Sequence, residues 1–332
     1  MLQNGPSATV ATKNVNFRSL LSKIAQARSL GLVVAIVTLA LVIGTKNSNF
    51  WRPLNLQVIA LNVSFFGILA IGQTAVILTS GIDLSVGSMV ALSGVVVALI
   101  TKSLGYTAAI VITLGFGLMV GVIHGWLITR LNITPFIVTL ASMSVLRGLA
   151  LWSTQGYPVV GLPKVFSMLG QQKLLNIPLS ALVLILVMIF AWLILSQTPL
   201  GRYVYAIGGN REAATYSGIN VRGVLTYAYV QQSLLAAITG ILVASWLGAG
   251  QPGAAGGWEL NAIAAVIIGG TSLAGGSGTV SGTILGALFM AVLANGLVLL
   301  NVSPYLQSIV VGAVIMIAVI VDVLRTRRFR KT

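Results

Sequence analysis

The chain has 332 residues, 57% hydrophobic and 7% charged, with no cysteine, whereas a water-exposed surface typically needs about 25% charge. It therefore belongs in a bilayer, and thiolate chemistry, disulfides and Cys-based metal sites are excluded, while four acids and one histidine leave no metal site expected. The net charge of +15 does not point to nucleic acid, because the 19 Lys and Arg lie in short hydrophilic stretches between apolar runs, as the positive-inside rule arranges them.

A bilayer core about 30 Å thick takes roughly 20 apolar helical residues, and these apolar runs lack the period-two alternation of barrel strands. The expected fold is an all-α bundle of about ten transmembrane helices. In chain order the spans fall at 29–44, 58–80, 84–101, 106–128, 135–155, 178–196, 223–247, 259–271, 279–300 and 304–324. The first follows Arg18, Lys23 and Arg28 like a signal peptide, but Thr45-Lys46-Asn47 offers no small-x-small cleavage site, so it is read as a retained anchor. The eighth is short and ends in Gly269-Gly270, which marks it as either a full span or a half-helix. The resulting organisation is a basic segment at 1–28, a membrane domain at 29–324 and a basic tail at 325–332.

Ten spans return both termini to one side. With the N-terminus inside, thirteen Lys and Arg are cytoplasmic and five external, Arg147 lying within a span, which accounts for all 19. Both termini are thus expected in the cytoplasm. Two spans carry doubled glycine spacings, Gly117, Gly121 and Gly125, then Gly278, Gly282 and Gly286, the pattern of close helix packing within a subunit or, less simply, at a dimer seam. LNITPF at 131–136 echoes LNVSPY at 300–305 and reads as a recurring way to end one helix and begin the next at proline.

The polar stretch 197–222 contains its own short helix. Asn210, after Gly209, can cap it, Glu212 sits in the first turn, Ala213 and Ala214 propagate it, and Gly218 can end it in the left-handed conformation. A loop helix lying on the membrane and a docking element for a soluble partner both fit these features.

Glu212-Ala213-Ala214 with Gly218 four positions further resembles the EAA loop of ABC-importer permeases. ILTSGIDLSVGSMVALSG (77–94), GRYVYAIGGNREAATYSGINV (201–221) and AIAAVIIGGTSLAGGSGTVSGTILGAL (262–288) resemble the ribose-type permeases of the carbohydrate-uptake branch, and the likeness covers about residues 50–324. It implies a bacterial inner-membrane subunit that forms the pathway of a binding-protein-dependent monosaccharide importer, for ribose-like pentoses or hexoses. It also implies a second permease subunit, a periplasmic sugar-binding protein, and a cytoplasmic ATPase, usually two fused domains, that takes the coupling helix in a cleft and carries the ATP and Mg. Branched-chain amino-acid permeases resemble the same fold but usually lack the GIDLSVGS run.

The chain has no GxxxxGK[ST] phosphate loop, so no enzymatic ATP hydrolysis and no cofactor is expected on it. An ion-coupled carrier, the alternative from another class, would place ionisable groups inside its spans, whereas by these boundaries the acids lie at span ends or in loops. Asp83, in the break between the second and third spans at the inner face, is expected to cap the third span, or else to take part in transport or partner contact. His124 is expected to make an interhelical hydrogen bond. Asn62, Gln73, Gln231, Gln232, Asn261 and Asn295 could line a pathway or serve as interhelical glue. Arg147 starts about 18 Å along its helix and either snorkels outward or turns inward to backbone carbonyls or an acid, with Glu259 better placed than Asp83.

Overall fold

A computed structural model describes residues 17–174 and 177–329, with side chains described for 29–174 and 177–324. Residues 1–16 of the N-terminal segment and the side chains of the basic tail at 325–332 lie outside it. The elements are α1 (Phe17–Lys46), a 3-10 turn (Ser48–Trp51), α2 (Pro53–Leu78), α3 (Val86–Leu104), α4 (Tyr106–Arg130), α5 (Pro135–Thr154) and α6 (Lys164–Gln171). Two short antiparallel strands, β1 (Lys173–Leu174) and β2 (Ile177–Pro178), precede α7 (Leu179–Gln197), α8 (Pro199–Gly209), α9 (Arg211–Tyr216) and α10 (Val221–Leu247). The chain closes with α11 (Trp258–Ile268), α12 (Val280–Leu299) and α13 (Pro304–Phe329).

Among the described residues nine helices are long and apolar enough to cross a bilayer. The eighth expected span is instead the 11-residue α11, only about 16 Å long at 1.5 Å per residue. The count of ten full spans is thus reduced, but the direction of the chain is not. Gly286 packs on the carbonyl of Ala265 and Gly282 on that of Gly269, so α11 runs antiparallel to α12 and ends where α12 begins. The irregular segment 248–257 leads from the end of α10 back along α3, with Gly250 against Gly94 and Val95 and the Ala255 carbonyl at Gly87, to the start of α11.

The helix at the centre is α10, 27 residues long and packed against α2, α3, α4 and α6. Its contact with α4 is made by the first glycine set: Gly117 faces Ala237, Gly121 faces Val230 and Gly125 faces Thr226, so these glycines serve an interface within the subunit. Of the second set, Gly282 and Gly286 bring α12 onto α11, but Gly278 precedes α12 and packs against the Thr271 side chain in the loop. The second spacing therefore departs from the continuous helix face expected of it.

Asn132 and Asn301 both adopt positive φ, 54° and 55°, and Pro135 and Pro304 begin the next helices. The LNITPF and LNVSPY echo thus has one local cause: an Asn that tolerates the left-handed region, followed by a proline preset for the first helical turn.

Candidate functional site: a short helix and two broken segments

Between α8 and α9 the chain turns on one residue. The Asn210 N–H donates to Ala206 O at 3.0 Å, closing α8, while its Oδ1 accepts from Ala213 N at 3.0 Å, opening α9. At the other end Gly218 has φ of +78°, its N–H donates to Thr215 O at 3.1 Å, and Ile219 N donates to Ala214 O at 3.1 Å. This pair of bonds is a Schellman stop, which needs a residue comfortable at positive φ. Glu212 lies in the first turn, where the helix dipole favours an anion, and Tyr216 is 90% exposed. The result is a rigid knob at one end of the bundle with an aromatic ring on its surface.

Behind α9, α8 is amphipathic and buries Gly201, Val204 and Ile207. Tyr205 Oη donates to Gly278 O at 3.0 Å. Burial holds the Tyr205 phenol above its ordinary pKa, so it stays a neutral donor in that bond.

Two segments interrupt the helices inside the bundle. In the first, residues 79–85, Tyr229 Oη of α10 lies against Gly81, and Tyr229 is eight residues, roughly 12 Å, into that helix. A Cβ on Gly94 of α3 would stand 3.3 Å from the Gly240 carbonyl, which puts the start of α3 near the half-height of α10. Asp83 is therefore well inside the protein, fully buried, and not at the inner face where the hydropathy boundaries put it. Nor does it cap α3 as expected. Its Oδ1 accepts from Ser85 N at 2.8 Å and Ser85 Oγ at 2.6 Å, an Asx turn at the N-cap residue that leaves the later amides of the first turn untouched. Thr139 Oγ1 donates to Ile82 O at 3.2 Å and Gly81 N to Val76 O at 3.0 Å, so non-helical backbone at this depth is satisfied by protein.

The second segment, 248–257, is held from α5. Arg147 Nη1 donates to Pro252 O at 2.9 Å and Ala254 O at 2.8 Å. Glu259, in the first turn of α11, lies within electrostatic range of the guanidinium and against Gly87 at the start of α3. The Arg147 side chain thus turns inward to the chain. The two acids that sequence placed at span ends, Asp83 and Glu259, both sit at the inner termini of helices that begin within the bundle.

The remaining polar span residues divide. Asn295 exchanges amide hydrogen bonds with Asn55, at 2.8 and 3.1 Å, joining α12 to the start of α2. Gln232 Nε2 donates to Gln73 Oε1 at 3.3 Å, both fully buried. Asn62 and Asn261 are half-buried. His124 Nε2 pairs with Ser142 Oγ of α5 at 2.7 Å, and the Thr74 and Thr283 hydroxyls meet at 2.7 Å between α2 and α12. Neither Thr pair nor Tyr229 stood out in the sequence, since isolated hydroxyls in apolar helices carry no local signal. A groove of about 470 Å³ between α7 and α10 offers only Tyr227 and Gln231 as polar partners among leucines, isoleucines and Phe190. That lining suits an acyl chain or a helix better than a polyhydroxylated solute.

The family described as "branched-chain amino acid transport system / permease component" matches residues 55–319. The chain is 42% identical to a ribose import permease protein of Bacillus subtilis, covering 93% of this chain and 95% of that one. It is also 42% identical to the ribose import permease protein of Escherichia coli K12, over 87% and 92% of the two chains. A xylose transport system permease protein of the same strain is 33% identical, over 90% and 92%. No solved structure matches the chain. With its apolar helices and a family match over most of its length, the chain belongs to this permease family and is a multi-pass inner-membrane component of an ABC transport system.

Proposed function

We propose that the chain forms, with a second permease subunit, the membrane pathway through which an ATP-driven importer takes up a monosaccharide of the ribose-like pentose or hexose class. The observation that carries the substrate class is the 42% identity, over nearly the whole chain, to proteins named as ribose import permeases. The family description names branched-chain amino acids. The full-length likeness to ribose and xylose permeases outweighs that label, which stands for a set of related permeases.

In this reading α9 enters a cleft on a cytoplasmic ATPase, two ATP-binding domains in one polypeptide, which holds the ATP and Mg. Asn210, Glu212, Ala213, Ala214 and Gly218 shape that knob, and Gly209 precedes it in open space. Its end of the bundle is then cytoplasmic, together with both termini, and a periplasmic binding protein delivers sugar to the opposite end. ATP binding closes the two ATPase domains, moves α9, and switches the pathway between its two openings. Specificity resides largely in the binding protein, since a pathway must release what it admits.

The test is reconstitution in vesicles with the ATPase and binding protein. Ribose-loaded binding protein is expected to stimulate ATP hydrolysis and drive ribose accumulation, and the permease alone is expected to hydrolyse no ATP. Accumulation driven by an ion gradient without the ATPase would overturn the reading.

A further inference from the structure

Three stretches far apart in sequence meet at one point beneath α9. The first is the C-terminal end of α2: Leu78 O accepts from Gly276 N at 3.0 Å, and Ser80, at φ of +62°, donates through Oγ to Ala274 O at 2.8 Å. The second is the end of α8. A Cβ on Gly208 would collide with Leu78 O and Gly276 N, so α8 lies backbone to backbone on both other strands. The third is the loop 269–279, where Gly275 and Gly276 take φ of +86° and +69°. A Cβ on Gly276 would stand 2.8 Å from Gly209 N. Tyr205 adds a fourth tie through its bond to Gly278 O.

Each strand leads to a part that sits elsewhere. Gly208 is two residues from Asn210, which ends α8 and begins α9 with its own backbone and side chain. Residues 79–85 climb from the junction to Asp83 and the start of α3. The loop 269–279 joins α11 to α12, and its Leu273 N–H donates to Asp322 of α13 at 3.2 Å. Contact through backbone atoms has no rotamers to yield, so displacement of one strand is passed to the other two.

Resting on the importer reading, we infer that Gly208, Leu78, Ser80 and Gly276 form a clamp that makes α8–α9, the broken segment 79–85 and the loop 269–279 move as one body. Gly208 is then a positioning residue for coupling: its missing side chain lets motion at α9 reach Asp83 and α11 without slack. The stretches 77–94, 201–221 and 262–288 each supply one face of the junction.

The cysteine-free chain allows a direct test in the reconstituted importer. Wild-type uptake is measured first in the same vesicles; its absence would count against the importer reading and not against the clamp. A Ser80→Cys, Ala274→Cys protein, whose paired positions are already joined by a hydrogen bond, is then oxidised to the disulfide. Because the strands move together, uptake is expected to persist at the level of the reduced protein, and the disulfide to form equally well with and without vanadate-trapped nucleotide. Loss of uptake on oxidation, restored by reductant, would overturn the clamp. Gly208→Val is expected to abolish uptake while the complex assembles and still hydrolyses ATP, whereas Gly115→Val, with open space around it, is expected to retain both. Full uptake by Gly208→Val would also overturn it. Should Gly208→Val fail to reach the membrane, the disulfide comparison decides alone.

Discussion

Arg147 on α5 and Ala254 in the break before α11 are joined by a 2.8 Å hydrogen bond from guanidinium to carbonyl, and the same nitrogen reaches Pro252 O at 2.9 Å. One side chain thus satisfies two carbonyls that no helix can serve, in a segment that would otherwise be costly inside a membrane. The Glu259 carboxylate nearby offsets part of the guanidinium's charge. Arg147→Leu removes both donors and leaves Glu259 without its cation, and each unsatisfied buried group costs about 1–3 kcal/mol. Reduced membrane abundance or uptake is the expected outcome. Arg147→Lys, with a point charge in place of the planar fork, is expected to keep part of both. Full abundance and uptake in Arg147→Leu, measured by immunoblot and labelled sugar, would remove this role.

The α4–α10 seam gives a paired comparison. A side chain at Gly121 would strike Val230 Cα and approach Tyr229 O to 2.8 Å, whereas Gly115, six residues earlier on α4, has nothing within 4 Å. Overpacking typically costs about 1–3 kcal/mol, so Gly121→Val is expected to lower the thermal unfolding temperature of the detergent-solubilised protein. Gly115→Val should leave it close to wild type. Equal unfolding temperatures would mean that α4 and α10 do not meet as described.

At α9 the folding cost and the transport cost are expected to separate. Gly218→Val forces a β-branched residue into φ of +78°, and Glu212→Lys places a cation against the helix N-terminus, at about 1 kcal/mol each. Such sums spare the bundle. Both proteins should assemble in the membrane at wild-type amounts while ATP-driven uptake collapses, and wild-type uptake by both would return α9 to a plain surface loop.

Orientation can be read with single cysteines at Lys164 and Arg211. Lys164 begins α6, whose Gly170 packs at Trp246 near the end of α10, and Arg211 begins α9, just before the start of α10. A helix of 27 residues separates these ends by about 40 Å. A membrane-impermeant maleimide added to right-side-out vesicles is expected to label position 164 and spare 211. Labelling of both from one side would contradict a membrane-spanning α10.

Much of the fold was legible because its determinants are local. Hydropathy runs located the helices, since a span must be apolar along its whole length. The α9 knob was legible residue by residue, because Asn210 and Gly218 act on amides and dihedrals within their own turn. Tertiary structure alone decided the depth of Asp83, the half-length of α11, the loop position of Gly278 and the partners of Arg147. Apolar periodicity assumes that chain length and depth advance together, and that assumption fails where 79–85 and 248–257 run through the interior without helix. There, depth is set by which backbone lies alongside, and the bonds from Arg147 to Pro252 and Ala254, more than 100 residues away, arise only when the helices have packed.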